Sequence, residues 1–268
     1  VYTFRSFFPA HESVLPPAKR SDLLSEQTNA AVSIEREKVR VSVVVPVFNE
    51  ATRIERMLHQ IRAVPVASEV IVVNDGSTDS TAEKLDGLAQ FYDKRCELSE
   101  NSGKGAAVLT GVRAATGDVI VVQDADGELS PGDYPVLLAP FLNEGAMVVY
   151  GSRFLKASMN VDRLPVPWLN RWANRFLTGA TNFLFGSRLT DMETGFKMCR
   201  SEVIKSLELT AKRYEFEPEV TALLLTQGFS IVEVPVSYYP RPQAEKSIGV
   251  RDGWLALWVL LRIRFLKR

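Results

Sequence analysis

Cysteine and histidine are nearly missing from this 268-residue chain, which carries only Cys96, Cys199, His11 and His59. Two isolated cysteines make neither a disulfide framework nor a thiolate metal site, and they point to a reducing compartment. Both histidines stand outside every polar motif, so no Ser/His/Asp or Cys/His nucleophile can be assembled. The chain has no Gly-x-x-x-x-Gly-Lys-Ser/Thr loop, which excludes the phosphate cradle of the P-loop enzymes. Net charge is missing as well: 32 basic residues balance 32 acidic ones, giving no reason to expect nucleic acid as a partner. Nor is there a run of about twenty apolar residues, the length that a bilayer-spanning helix needs. Residues 1–40 show neither a charged start with a long apolar core nor a cleavage signature, so they do not read as a secretory signal.

What the chain does have is carboxylates placed after apolar runs. Val119 to Val122 reads as a buried strand that delivers Asp124-Ala125-Asp126, with Glu128 following. Carboxylates at i and i+2 offer hard oxygen ligands to Mg²⁺ or Mn²⁺, which take one or two of them and complete their shell with substrate phosphates and water. A lone Asp-x-Asp is as readily an acidic turn, but two more segments repeat the pattern. Val41 to Val45 enters Pro46-Val-Phe48-Asn49-Glu50 and a helix from Ala51 to about Arg62. Glu69 to Val73 enters Asn74-Asp75-Gly-Ser77-Thr78-Asp79, where Ser77 or Thr78 can cap a helix reaching about Phe91. Three acidic loops thus fall at the carboxyl ends of three strands, the edge at which open parallel sheets bind ligands. Gly103-Lys104-Gly105 then opens a helix to about Ala115, and glycines at a helix start beside a lysine suit a phosphate. Met147 to Tyr150 reads as a further strand.

Charge is balanced in total but not in distribution. Arg153, Lys156, Arg163, Arg171 and Arg175 face Asp162 alone, and Arg241, Lys246, Arg251, Arg262, Arg264, Lys267 and Arg268 face Glu245 and Asp252. The second half is therefore suited to something anionic. Two segments also suit a membrane surface. Pro167 to Phe185 sets Trp168, Trp172 and Phe176 four residues apart with Arg171 and Arg175 on another face, and Trp254 to Leu261 is apolar almost all round and closed by arginines. The competing reading of both is a core or dimer-interface helix.

In their order and approximate spacing from residue 41 to about 250, these segments resemble the family 2 glycosyltransferases, and within them the dolichyl- and polyprenyl-phosphate mannosyl- and glucosyltransferases. The resemblance is carried by Pro46-Val-Phe-Asn49-Glu50, Asn74-Asp75-Gly-Ser77-Thr-Asp79, Gly103-Lys104-Gly105, Asp124-Ala-Asp126-Gly-Glu128, Gly151-Ser-Arg153 and Thr190-Asp191-Met-Glu-Thr-Gly195-Phe196-Lys197. It departs at Asn74, where many relatives carry Asp, and at Glu128, where some carry Gln, which leaves the nucleotide open.

The resemblance implies an α/β, GT-A-like fold: a mostly parallel Rossmann-type sheet wrapped by helices in a single catalytic domain, residues 41–250. An N-terminal extension, 1–40, and a basic amphipathic C-terminal helix, 251–268, would flank it. It implies a metal-dependent, inverting transfer of mannose or glucose from GDP-mannose or UDP-glucose to a polyprenyl phosphate, on the cytosolic face of a membrane. Asp126 and Glu128 would be the preferred ligands of Mg²⁺ or Mn²⁺, with Asp124 meeting the metal or the ribose. Pro46, Phe48, Asn49, Glu50, Asp75, Lys104, Asp124 and Ala125 would hold the donor. Arg153, Arg171, Arg175, Arg241 and Lys246 would face the acceptor phosphate, and Asp126, Arg153, Asp191 and Arg241 would form the catalytic set.

Asp191 has two readings. A sugar hydroxyl as nucleophile, on a soluble or glycan acceptor, needs a general base, and Asp191 is the candidate. A phosphomonoester, whose second pKa is near about 6, is mostly dianionic at neutral pH and needs none, so Asp191 would instead position an arginine or cap its loop.

Overall fold

The computed structural model describes residues 39–155, 168–240 and 250–266. The N-terminal extension, Arg241 and Lys246 lie outside the described residues. Valine-rich runs build the centre of the sheet. In β1 (Val41–Val47) every side chain from Val41 to Val45 is buried, and in β4 (Val119–Val122) all are. Such strands do not alternate, because helices cover both faces of a central parallel sheet. With β2 (Ala67–Asp75), β3 (Lys94–Leu98), β5 (Val148–Ser152), β6 (Lys197–Arg200) and β7 (Ile231–Pro235) they form one sheet in the order β3-β2-β1-β4-β6-β5-β7.

Every pairing in this sheet is parallel except those of β6, which runs antiparallel to both β4 and β5. The reversal matters for function. Met198 pairs with Val121 and Lys197 with Tyr150, so the start of β6 lies at the carboxyl ends of its neighbours. The loop before β6, which contains Asp191 and Gly195, is thereby brought to the edge that carries Asp124 and Arg153.

Eight helices are described: α1 (Ile54–Arg62), α2 (Thr81–Asp86), α3 (Lys104–Ala114), α4 (Tyr134–Asn143), α5 (Trp168–Phe185), α6 (Ser201–Ser206), α7 (Phe216–Thr226) and α8 (Val250–Phe265). Helix α3 lies on β1 and β2, where a Cβ at Gly111 would run into the Val44 side chain. Helix α8 packs on α7 and α5 and sends Ala256, Val259, Leu260 and Ile263 into the core shared with Val44, Ile71, Ile120 and Phe216. Each fully buried Val, Leu or Ile contributes roughly 1.5–3 kcal/mol, so this face of α8 is part of the fold. Helix α2 begins at Thr81, later than a cap at Ser77 or Thr78 would place it, because those two side chains are committed to Asn49.

Candidate active site

The loops after β1 and β2 are joined by one side chain. Asn49 has φ 55°, a left-handed conformation that Asn tolerates better than most residues. Its Oδ1 accepts the backbone N–H of Thr78 at 2.8 Å and of Asp79 at 3.3 Å, while its own N–H donates to Ser77 Oγ at 3.1 Å. Asn49 is therefore a staple between the two loops. The Glu50 carboxylate accepts from Arg53 Nη1 at 3.0 Å, and the Glu50 N–H donates to Thr81 Oγ1 at 3.0 Å. Pro46 is half-buried and Phe48 is left 39% exposed at this edge, the placement an aromatic needs to face a flat base.

At Gly103-Lys104-Gly105, expected to suit a phosphate, the chain itself engages part of the helix start. Asp75, buried at the end of β2, accepts the N–H of Ser102 on Oδ1 and of Gly103 on Oδ2, both at 2.8 Å, and the N–H of Ala106 goes to Lys212 O at 3.1 Å. The anion at this helix start is supplied by the chain itself, and Asp75 clamps the loop. Lys104 is likewise engaged: its Nζ lies 2.8 Å from Asp124 Oδ1 and 2.7 Å from Glu217 Oε1. Burial lowers the pKa of this lysine, but the two carboxylates outweigh it and hold the ammonium well above the usual lysine range.

Asp124 and Asp126 leave the end of β4 partly exposed, with Ala125 buried between them. A Cβ at Gly195 would collide with the Asp124 carboxylate, so glycine there lets the 190–196 loop close onto the acidic turn. Asp126 Oδ1 accepts the Glu128 N–H at 3.0 Å, and Glu128 Oε2 accepts the Tyr238 hydroxyl at 2.8 Å. Among the described residues no three His, Cys, Asp or Glu side chains converge as a metal cage. The three-carboxylate ligand set is thus not gathered at one point: Glu128 is turned to Tyr238, over whose ring the Arg153 guanidinium lies at 5.3 Å. The remaining pair, Asp124 and Asp126, still fits a hard cation, since Mg²⁺ is commonly held by one or two carboxylates with substrate phosphates supplying the rest.

Arg153 follows β5 and is clamped by Asp191. Its Nε and Nη2 donate to the two Asp191 oxygens at 2.7 and 2.8 Å, and its backbone N–H donates at 3.0 Å. Asn174 of α5 adds a fourth bond at 2.9 Å, and Glu233 of β7 accepts the N–H groups of Thr190 and Asp191 at 2.7 and 3.0 Å. Burial raises the Asp191 pKa, but Arg153 overrides it and the carboxyl is held below the usual range. A fully buried carboxylate with both oxygens occupied and a lowered pKa is a poor proton acceptor. This geometry is the one expected of a positioning residue. Arg171 is half-buried one turn before Asn174 on the same helix, whereas Arg175 is exposed.

The sequence reading gave no role to Asn174, Tyr238 or Glu217, nor to Glu193 and Lys197, which it quoted only within the motif around Asp191. Lys197 is 2% exposed and its Nζ donates to the carbonyls of Met192 and Thr194, both at 2.8 Å. A lysine or glutamate embedded in an apolar run, as in Phe196-Lys197-Met198 and Phe216-Glu217-Pro218, was the signal available. A cavity of about 400 Å³ between α3 and α6 is lined by Leu109, Val112, Ile204 and Leu207 and by none of the carboxylates or arginines above.

Comparison with known proteins agrees with this layout. Residues 42–208 match the family model described as glycosyl transferase family 2. A polyprenol monophosphomannose synthase of Mycolicibacterium smegmatis is 28% identical over 79% of this chain and 80% of its own length. An undecaprenyl-phosphate mannosyltransferase of Micrococcus luteus is 28% identical over 84% of this chain and 99% of its own. In three dimensions the chain is similar to glucosyl-3-phosphoglycerate synthase from Mycobacterium tuberculosis in complex with Mg²⁺ and UDP, with a TM-score of 0.62 and 23% identity, covering 90% of this chain and 83% of that one. The same enzyme has been crystallised with Mn²⁺ and UDP. At that identity the likeness shows the fold, a GT-A-like one. With the family model spanning well over half of its residues, the chain belongs to glycosyl transferase family 2 and is a glycosyltransferase.

Proposed function

We propose that this protein transfers a hexose, mannose or glucose, from GDP-mannose or UDP-glucose to a polyprenyl phosphate, with Mg²⁺ or Mn²⁺ at the diphosphate. The observation that carries this reading is the Arg153–Asp191 clamp. It presents a guanidinium where the acceptor arrives and removes from base duty the aspartate that a hydroxyl acceptor would require. A phosphate dianion brings its own nucleophilic oxygen and is recognised by the planar donors of arginine. The relatives named for polyprenyl phosphates support the same acceptor class. When bound, the metal neutralises charge developing on the leaving nucleoside diphosphate. Asp126, helped by Asp124, would hold it. Lys104 fixes Asp124, Asp75 fixes the loop beneath, and Arg153 with Arg171 orients the incoming phosphate behind the anomeric carbon, a single displacement with inversion.

A membrane surface completes the reading. On α5, Trp172, Phe176 and Phe183 are 67%, 62% and 89% exposed; on α8, Trp254, Trp258 and Phe265 are 69%, 52% and 64% exposed. Each set lies on one helical face, and the two helices pack together with Arg175 and Arg264 exposed beside them. Among the described residues no helix is long and apolar enough to cross a membrane, but aromatic stripes flanked by arginines suit an anionic interface, where the acceptor resides.

The test is a transfer assay with UDP- and GDP-linked hexoses. Product formation on polyprenyl phosphate in the presence of Mg²⁺ or Mn²⁺ and its loss in EDTA are expected. Metal-independent turnover would overturn the role given to Asp126.

A further inference from the structure

The segment that leaves β7 is stitched to both halves of the site. The N–H of Val236 donates to Ser152 O at 3.2 Å, next to Arg153, while the N–H groups of Ser237 and Tyr239 donate to Asp133 Oδ2 and Glu128 O, each at 2.8 Å. Between them Tyr238 forms an isolated antiparallel bridge with Leu129. Its side chain then repeats the link. The hydroxyl donates to Glu128 Oε2 at 2.8 Å, and the Arg153 guanidinium lies over the ring, 5.3 Å from its centroid. Tyr238 is buried, so neither contact is a loose surface encounter. The scheme above gives it no role.

This ring fixes a different coordinate of Arg153 from the one that Asp191 fixes. Asp191 takes Nε and Nη2 and so holds one edge of the fork, but a bidentate pair keeps a hinge about the line through the two carboxylate oxygens. A ring against the guanidinium closes that hinge by cation–π attraction. The ring is itself held, by its hydroxyl bond to Glu128 and by the pinned backbone on either side. The Arg153 side chain keeps 17% of its surface exposed, so a phosphate can reach donors that Asp191 leaves.

We propose that Tyr238 is a positioning residue for the acceptor: its ring, locked by Glu128, sets the plane of the Arg153 guanidinium so that the donors left by Asp191 meet the acceptor phosphate. The proposal rests on the polyprenyl-phosphate reading, and the controls separate the two. Full-length wild type, Tyr238→Phe, Tyr238→Leu, Arg153→Ala and the Arg153→Ala/Tyr238→Leu double variant are titrated by calorimetry in Mg²⁺. The probes are a short-chain prenyl phosphate, the corresponding free prenol, UDP and GDP. Thermal melting is recorded alongside.

Wild type should bind the prenyl phosphate better than the prenol. Tyr238→Leu should weaken binding of the prenyl phosphate roughly 5–30-fold and leave the affinity for UDP and GDP within about twofold. Tyr238→Phe keeps the ring and should stay within about threefold of wild type for the phosphate. In the Arg153→Ala background the leucine should change phosphate affinity by less than about twofold, because Tyr238 acts through the arginine. A merely structural tyrosine would weaken all the probes in step with the melting temperature, and its effect would persist without Arg153. Phosphate affinity kept in Tyr238→Leu, or lost equally in Tyr238→Phe, overturns the proposal. Should Tyr238→Leu fail to fold, Tyr238→Met takes its place with the same expectations. Wild type that binds the prenyl phosphate no better than the prenol sinks the acceptor reading and Tyr238 with it. If wild type and Tyr238→Leu discriminate alike, that reading stands and the role of Tyr238 alone is refuted.

Discussion

Two of the five N–H donors of the Arg153 guanidinium are taken by Asp191. The rest of the fork is pre-aimed, so it loses less entropy on meeting a phosphate than a loose arginine would. Arg153→Ala should raise the acceptor KM by roughly 10–100-fold while nucleotide affinity barely moves; a collapse of donor affinity with an unchanged acceptor KM would place Arg153 at the diphosphate instead. Asp191→Asn removes one partner of a buried pair and should cost about 3–5 kcal/mol in urea unfolding. Asp126→Asn should abolish turnover with the melting temperature unchanged, since a partly exposed carboxylate at a strand end carries little of the core.

The two acidic groups of the 190–196 loop have opposite pH signatures. Asp191 has a lowered native pKa, so its stabilisation is present above its unfolded value near 3.8 and is lost as pH falls through the native one. Glu193 is raised from 4.5 to about 7, so the native state keeps its proton longer and stability declines as pH rises across that interval. The charged groups facing Glu193 are Glu217 of α7, Lys197 of β6, Arg153 after β5, and Asp191. Lys197, pulled down by burial to about 8, titrates above this window. Urea unfolding at pH 5 and pH 7.5 should show a stability loss in wild type that Glu193→Gln lacks.

Legibility at this scale depended on sequence distance. The acidic turn of Asp124 and Asp126 is contiguous and could be read directly. The partner of the turn at Gly103 could not be read locally, because Asp75 comes from the end of β2, with β3 between them in the chain. Asp191 was left with two roles because the side chains that engage it, Arg153 and Asn174, are not its neighbours in the chain.

At the scale of elements, long apolar runs were readable and short charged strands were not. β1, β2 and β4 stand where their valines put them, within a few residues. β3 reads Lys-Arg-Cys-Glu-Leu and β6 reads Lys-Met-Cys-Arg, segments with too little apolar periodicity to declare themselves. Only pairing with neighbouring strands makes them sheet. For α8, the two competing readings each describe one face: Val259, Leu260 and Ile263 are core, while Trp254, Trp258 and Phe265 are exposed. Arg262, read from sequence as part of the outward basic cluster, is instead turned to Glu219 at 3.2 Å.

The two faces of α8 give separable mutants. Trp254→Ser with Trp258→Ser should release the protein from anionic vesicles in a flotation assay and leave the melting temperature nearly unchanged. Leu260→Ala should cost about 2–5 kcal/mol of stability. High salt should weaken vesicle attachment only in part, because screening acts on Arg175 and Arg264 and not on buried aromatic rings. Flotation unaffected by loss of both tryptophans would move membrane contact to α5 or remove it.

At the scale of the whole molecule, one reversed strand organises the chemistry. Because β6 runs against β4 and β5, the loop ahead of it returns to the edge that carries Asp124 and Arg153, and it touches both through Gly195 and Asp191. The expected sheet was mostly parallel, as found, but the sequence was silent on which strand reverses, since strand direction follows from partners that the local sequence does not name. The central claim is that the acceptor is a phosphate. It is tested most directly by offering wild type, with Mg²⁺ or Mn²⁺ and labelled UDP- and GDP-hexoses, a polyprenyl phosphate in anionic vesicles beside the corresponding free polyprenol and soluble sugar hydroxyls. Label should pass to the polyprenyl phosphate alone, in a reaction lost on Arg153→Ala; label passing to a hydroxyl acceptor with none on the phosphate would contradict it.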